Sequence, residues 1–96
     1  MRKADLVNKI SDKTGISKID SLVVLESFFK EVKESLSKGE NVYVRGFGSF
    51  IIKRRKQKIG RIISTNTPIV VPEHNLPAFK PADTFIDKVK DAPYKK

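Results

Sequence analysis

The chain has 96 residues and a mass of 10.9 kDa, which is the size of one small domain. It carries 20 Lys and Arg against 11 Asp and Glu, a net charge of +9, and this excess indicates a polyanionic partner such as nucleic acid, an anionic membrane face or an acidic protein. There is no cysteine, which excludes disulfides, thiolate zinc sites and a cysteine nucleophile.

Two helices are predicted in the first half of the chain. Leu6, Val7 and Ile10 have helical spacing within residues 3–14, and Gly15 is a natural stop. A second helix is predicted from about residue 18 to residue 38, ending at Gly39. Its apolar positions recur at steps of three and four: Leu22, Leu25, Phe29, Val32 and Leu36. Ser17 and Asp20 have the spacing of a capping box at its start.

The second half is predicted to be mainly β-structure. Two short strands are expected around a tight turn at residues 46–48, followed by an extended hairpin with its tip near residues 64–68. A further strand, a short helix and a fraying tail complete the prediction. In chain order the predicted pieces are strands at 41–44 and 49–56, the hairpin within 57–71, a strand at 76–80, a helix at 83–89 and a tail at 91–96.

The positive charge is concentrated in this second half. Residues 1–44 hold 8 basic and 7 acidic side chains, whereas residues 45–96 hold 12 and 4. Residues 45–61 hold seven basic side chains and no acidic one. Either this run is a solvated face that keeps the protein soluble, or it is a binding surface for a polyanion.

The sequence offers no catalytic or metal-binding constellation. His74 is the only histidine and falls in a predicted loop between two prolines, and the acidic residues are dispersed. The Gly46-Phe47-Gly48 segment leads into a strand, so it lacks the helix that a phosphate-binding loop requires. We therefore expect no enzyme activity, no metal, no cofactor and no small-molecule substrate.

The apolar surface exceeds what one such chain can bury. The long helix is apolar over a wide arc, and Phe47, Phe50, Phe79 and Phe85 add further area, while the hairpin contributes little to a core. The sequence therefore predicts a homodimer in which both copies build one shared core.

The hairpin has features of a nucleic-acid-binding ribbon. Arg61 is followed by Ile62 and Ile63, two large apolar residues near a tip that is normally polar. They either pack across the ribbon on Ile69 and Val71, or one of them is a wedge inserted between base pairs.

Several motifs together resemble the HU/IHF family of bacterial DNA-bending proteins, over roughly residues 1–90. The resemblance lies in the order of elements and in the segments Lys38-Gly39-Glu40, Val44-Arg45-Gly46-Phe47-Gly48-Ser49-Phe50, Gly60-Arg61 and Pro77-Ala78-Phe79-Lys80-Pro81. It implies an α+β fold with an N-terminal helix hairpin, a three-stranded antiparallel sheet carrying an extended β-ribbon arm (about residues 55–74), and a short C-terminal helix. Residues 1–90 then form one domain, within an intertwined homodimer, and residues 91–96 a frayed tail.

The resemblance also implies site residues, because family arms reach into the DNA minor groove. The expected DNA-binding residues are Lys3, Lys18, Lys53, Arg54, Arg55, Lys56, Lys58, Arg61, Ile62, Ile63, Ser64, Thr65, Asn66 and Lys80. The expected dimer core consists of Phe29, Val32, Leu36, Phe47, Phe50 and Phe79.

Three departures from the family pattern affect the predicted mechanism. The usual arm-tip motif is Arg-Asn-Pro, whereas this chain has Arg61-Ile62-Ile63, so Ile63 takes the expected wedge role. Thr65-Asn66 replaces the common Thr-Gly, and asparagine tolerates the left-handed backbone of such a turn. Asp83 and Ile86 stand where many members have lysine, which leaves Lys3 and Lys18 as contacts to flanking DNA.

The expected function is non-enzymatic, largely sequence-independent binding and bending of double-stranded DNA at the bacterial nucleoid, with distorted, nicked or flexible DNA preferred. An IHF-like, site-preferring DNA-bending factor is the main alternative, and an RNA-binding protein is a more distant one. A membrane partner is disfavoured because the long helix is nearly neutral. No apolar run is long enough to span a membrane and the N-terminus lacks the apolar stretch of a signal peptide, so a cytoplasmic location is expected.

Overall fold

The structure is a computed structural model that describes residues 1–62, 64 and 67–94, with only the backbone described at Ile62. By internal contacts the chain divides into a helical unit, Met1–Ser35, and a mainly β unit, Leu36–Lys96. In chain order the elements are α1 (Lys3–Thr14), α2 (Lys18–Ser37), β1 (Val42–Val44), β2 (Gly48–Arg55), β3 (Lys58–Ile62), β4 (Thr67–Val71), β5 (His74–Pro81) and α3 (Asp83–Val89).

The helical unit contains α1 and most of α2, and local side-chain bonds define its ends. The Asp5 carboxylate accepts the Arg2 backbone N–H at the start of α1, and α1 ends at Gly15 in the left-handed conformation (φ 76°). The Asp20 N–H donates to the Ser17 hydroxyl at 3.1 Å, which is the capping bond expected at the start of α2. The two predicted helices are therefore present, and the end of α1 at Gly15 and the start of α2 at the Ser17–Asp20 cap are as predicted, whereas the Asp5 bond at the start of α1 was not predicted.

The β unit contains one three-stranded antiparallel sheet, in the order β1-β2-β5, and one two-stranded ribbon formed by β3 and β4. Phe50 pairs with Phe79 and Arg55 with His74 in the sheet. This arrangement confirms the predicted α+β fold with a three-stranded sheet and a β-ribbon arm.

Four phenylalanines on one side of the sheet form the aromatic cluster of the β unit: Phe47, Phe50, Phe79 and Phe85. Phe79 lies 5.1 Å from both Phe47 and Phe50, measured between ring centroids, and Phe47 stacks on Phe85 at 5.2 Å. Gly48 permits this packing, because a Cβ atom there would lie 2.6 Å from both a Phe79 ring carbon and the Lys80 carbonyl oxygen. Only glycine fits this close approach.

Two strands extend beyond the sequence-based prediction. β5 begins at His74 rather than Leu76 and contains Pro77, and β4 contains Pro68, which had been expected in the hairpin tip. Proline lacks an N–H, but both prolines occupy edge strands, where a missing donor breaks no interior ladder.

Little of this chain is buried when it stands alone. Among the described residues Val7 is the only buried apolar side chain, at 7% exposure, and Phe29, Phe47 and Phe79 are each more than one-third exposed. Apolar surface on this scale is characteristic of chains that complete their core with a partner. Within the described residues no helix is long and apolar enough to cross a membrane.

Candidate nucleic-acid interface

The sheet has two chemically different faces, because successive strand residues point to opposite sides. Phe50 and its partner Phe79 belong to one of them, which we call the aromatic face. Lys53 and Arg55 lie on the other, opposite Leu76 and His74. Lys80 shares this second face through its pairing with Ser49. We call this second side the basic face, because three of the predicted DNA-binding cations meet there.

The pairing of β3 with β4 in the ribbon continues the register in which β2 pairs with β5 in the sheet. The last sheet pair is Arg55 with His74 and the first ribbon pair is Lys58 with Val71, so two residues are omitted on each side. An even interruption preserves the alternation of faces. Arg61, six residues after Arg55, therefore falls on the ribbon side that continues the basic face.

Arg54 occupies the aromatic face and is bonded within the chain. Its Nε donates to a Glu73 carboxylate oxygen at 2.8 Å, and its Nη1 donates to Asn75 Oδ1 at 3.0 Å. The hydrogen bond and the positive charge of Arg54 lower the pKa of Glu73. Both arginines were expected to bind DNA, and the alternation along β2 places Arg54 and Arg55 on opposite faces of the sheet.

The remaining predicted cations of the β unit are exposed but not all on the basic face. Lys56 lies at the interruption between sheet and ribbon, and Lys58 pairs with Val71 on the ribbon side opposite Arg61. Ser64 is exposed at the ribbon turn. These positions place positive charge on both sides of the arm.

The two flanking lysines belong to the helical unit. Lys3 donates to the Glu26 carboxylate at 2.6 Å, linking α1 to α2. This hydrogen bond and the lysine charge lower the pKa of Glu26. Lys18 is exposed at the first residue of α2. Lys3 can therefore contact DNA only if its bond to Glu26 breaks.

A shallow depression of about 470 Å³ lies at the end of the basic face. Tyr43, Arg45, Ser49, Lys80 and Asp83 are among its lining residues. Tyr43, Ser49 and Lys80 are register neighbours across the three strands. Tyr43 and Arg45 are not among the individually predicted DNA-binding residues, although the alternation of β1 separates Tyr43 from the apolar Val42 and Val44.

Some predicted residues cannot be placed. Ile63, Thr65 and Asn66 lie outside the described residues, as does the side chain of Ile62. The wedge assignment therefore stays a prediction. Within the part of the chain that the structure describes, no group of three or more His, Asp or Glu side chains is arranged to hold a metal ion.

The predicted dimer-core residues also divide between the two units. Phe29 and Val32 belong to the helical unit, where the Phe29 ring centroid lies 5.9 Å from that of Phe28. Leu36 is the first residue of the β unit, which also contains Phe47, Phe50 and Phe79. Val32, Leu36 and Phe50 are half-buried in the single chain.

Comparison with known proteins gives consistent similarities over nearly the whole chain. A family described as bacterial DNA-binding protein matches residues 1–90. DNA-binding protein HU of Thermotoga maritima is 36% identical over 90 residues, covering 94% of this chain and 100% of that protein. Integration host factor subunit alpha of Idiomarina loihiensis is 36% identical over 92 residues, covering 96% and 94%. A solved Anabaena HU–DNA cocrystal structure has a TM-score of 0.90 at 33% identity, covering 97% of this chain and 100% of that one.

Proposed function

The chain belongs to the family of bacterial DNA-binding proteins that includes HU and integration host factor, and on that premise we propose that it binds and bends double-stranded DNA without catalysing a reaction. The observation that carries the proposal is the basic face, which joins Lys53, Arg55 and Lys80 on the sheet to Arg61 on the ribbon in one continuous register. In this proposal a duplex lies along the basic face and the ribbon enters its minor groove. The protein then acts at the bacterial nucleoid in the cytoplasm.

Electrostatic attraction to phosphates supplies most of the affinity. A homodimer carries about twice the +9 of one chain, and about 6–8 phosphate contacts per dimer give a slope of roughly −5 to −7 in log K against log salt concentration. Because phosphates are the same at every base pair, binding is largely independent of sequence.

Bending comes from the arm tip. Ile63 is large and apolar, and we assign it the wedge role that opens a base step, by resemblance to the family pattern. Unstacking costs a few kcal/mol, so nicked, distorted or flexible DNA, which is already partly deformed, is bound preferentially.

The homodimer brings two arms to one duplex. The exposed aromatic cluster and the apolar stripe of α2 are surfaces that a second copy would cover, including Phe29, Val32, Leu36, Phe47, Phe50 and Phe79. Dimerisation therefore supplies the core that one chain lacks and doubles the number of phosphate contacts.

A site-preferring function is the second candidate, because the similarity to integration host factor subunit alpha equals that to HU of Thermotoga maritima at 36% identity. Competition of random-sequence duplexes against a bound duplex separates the two candidates. The sequence-independent function predicts equal competition by all linear duplexes of one length. One selected sequence that competes at least about tenfold better would favour the site-preferring function.

The test compares two adjacent arginines in gel-shift assays on linear, nicked and cruciform DNA at two salt concentrations. Arg55→Ala removes a cation from the basic face and is expected to weaken binding about tenfold. Arg54→Ala removes the same guanidinium group from the aromatic face and is expected to weaken DNA binding by less than about threefold. Equal losses, or tighter binding to structured RNA than to any of the DNAs, would contradict the proposal.

A further inference from the structure

An exposed apolar pair occupies the middle of the ribbon. Ile59 on β3 pairs directly with Val70 on β4, and these side chains are 73% and 60% exposed. Directly opposed residues of an antiparallel pair point to the same side of the ribbon. Two β-branched side chains therefore form one exposed apolar surface in a ribbon whose charged residues, Lys58 and Arg61, are both basic.

The pair lies on the ribbon side that continues the basic face. Ile59 lies four residues after Arg55 and two residues before Arg61, so the unbroken register places all three on one side, and Val70 joins them by its pairing with Ile59. The opposite side carries Gly60, which has no side chain, and Ile69, which is 41% exposed. Among the ribbon side chains that the structure describes, apolar exposure is thus greatest on the side that the proposed function turns toward DNA.

The cations around the pair identify its partner. Arg55 precedes and Arg61 follows the pair on the same side, and β3 and β4 contain no acidic residue. A minor groove has the complementary pattern, since anionic phosphates form its rims and the C–H groups of deoxyribose form much of its walls. Charge complementarity therefore selects a nucleic-acid groove over an apolar protein surface as the partner.

We propose that Ile59 and Val70 contact deoxyribose in the minor groove and make the ribbon selective for DNA over RNA. This inference rests on the proposed function. The ribose 2′-hydroxyl lines the minor groove and needs a hydrogen-bond partner when water is removed from it. Neither Ile59 nor Val70 has a side-chain donor or acceptor. When this pair covers a ribonucleotide, the 2′-hydroxyl loses its hydrogen bonds to water and gains none from the protein. A deoxyribonucleotide has only C–H groups at that position, so covering it breaks no hydrogen bond.

The experiment uses the full chain and three duplexes of one sequence: all DNA, DNA with isolated ribonucleotides, and DNA with 2′-fluoro nucleotides at the same positions. The fluorinated sugar favours the pucker of ribose but has no hydroxyl, so it separates hydroxyl burial from sugar shape. We expect the parent protein to bind the ribonucleotide duplex about tenfold more weakly than all DNA. We expect the fluorinated duplex to be bound within about threefold of all DNA, because no hydroxyl is buried.

Threonine substitutions connect this selectivity to the pair. Ile59→Thr and Val70→Thr keep the β-branch but add a hydroxyl that can bond to ribose, and each is expected to reduce the discrimination to about threefold or less. Ile69→Thr makes the same chemical change on the opposite side of the ribbon and should leave the tenfold discrimination in place.

The outcomes distinguish this inference from the proposed function. If the parent binds and bends DNA but binds the ribonucleotide duplex equally well, the assignment of the pair is overturned while the proposed function stands. Equal loss of discrimination in Ile69→Thr, or full discrimination in Ile59→Thr and Val70→Thr, also overturns it. A parent protein that fails to bind any of the duplexes overturns the proposed function itself.

Discussion

The Arg54 guanidinium donates to the Glu73 carboxylate at 2.8 Å, directly beside the interruption where the sheet gives way to the ribbon. Both side chains are about half exposed, so solvent screens their attraction. The pair therefore matters more for the local charge near bound DNA than for stability. Glu73 is the only acidic residue between Glu40 and Asp83, and it partly neutralises the base of the arm.

Removing this carboxylate should strengthen DNA binding. Glu73→Gln is expected to raise the affinity for linear duplex DNA about threefold at low salt, because it removes the negative charge at the base of the arm. The gain should shrink at high salt in gel-shift or anisotropy titrations. Asp91→Asn is the matched control, since it changes the net charge equally in the C-terminal tail. An equal gain in both variants would show that only net charge matters.

The ion pair between Lys3 and Glu26 predicts a pH-dependent contribution to stability. The pKa of Glu26 is lowered by Lys3 in the folded chain, so the contribution is present above the unfolded-state pKa and is lost as pH falls through the folded-state value. Lys3→Met should therefore lower the melting temperature relative to the parent at pH 7 but not near pH 2. Thermal unfolding at both pH values checks this, and a difference that persists unchanged in acid would contradict it.

Gly48 should be intolerant of any side chain. Gly48→Ala places a methyl group 2.6 Å from the Phe79 ring and the Lys80 carbonyl oxygen, which is expected to cost about 1–3 kcal/mol in the free energy of unfolding. Gly60→Ala is the control, because its new Cβ would lie 3.7 Å from Ile69 Cγ1, an ordinary contact. Denaturant unfolding of both variants measures the difference. Equal free energies of unfolding for the two variants would contradict this prediction and show that the sheet accommodates a methyl group at Gly48.

The predicted dimer depends on the apolar stripe of α2. Phe29→Glu puts a charge into this stripe and is expected to shift the protein toward monomer, measured by analytical ultracentrifugation. Ile19→Glu makes a comparable change at a residue off the stripe that is 76% exposed, and should leave the dimer intact. A monomeric parent, or equal dissociation of both variants, would contradict the assignment.

Much of the fold could be predicted because local chemistry determines it. The apolar spacing in α1 and α2, the Ser17 cap and the glycine at residue 15 all act within a few residues. β5 was predicted too short at its start, because His74 and Asn75 belong to the strand only through their pairing with Arg55 and Arg54 of β2. A linear pattern does not contain this long-range pairing.

The sequence predicts that the site is rich in basic residues, but it does not predict how these residues are arranged on the faces of the sheet and ribbon. The cluster of basic residues was evident from residues 45–61. Alternation along β2 separates Arg55 from Arg54, and the register of β2 with β5 determines that Lys80 shares the face of Arg55. The exposed pairing of Ile59 with Val70 also depends on register, because the two residues are far apart in sequence.

The central claim is that the ribbons bend duplex DNA, and the end-to-end distance of a short duplex tests it most directly. We expect fluorescence energy transfer between dyes on the two ends to rise when the parent protein saturates the duplex. Ile63→Ala should produce a smaller rise and should lose less affinity for prebent DNA than for linear DNA, because the wedge acts through deformation. A saturated duplex that keeps the end-to-end distance of free DNA would contradict the account.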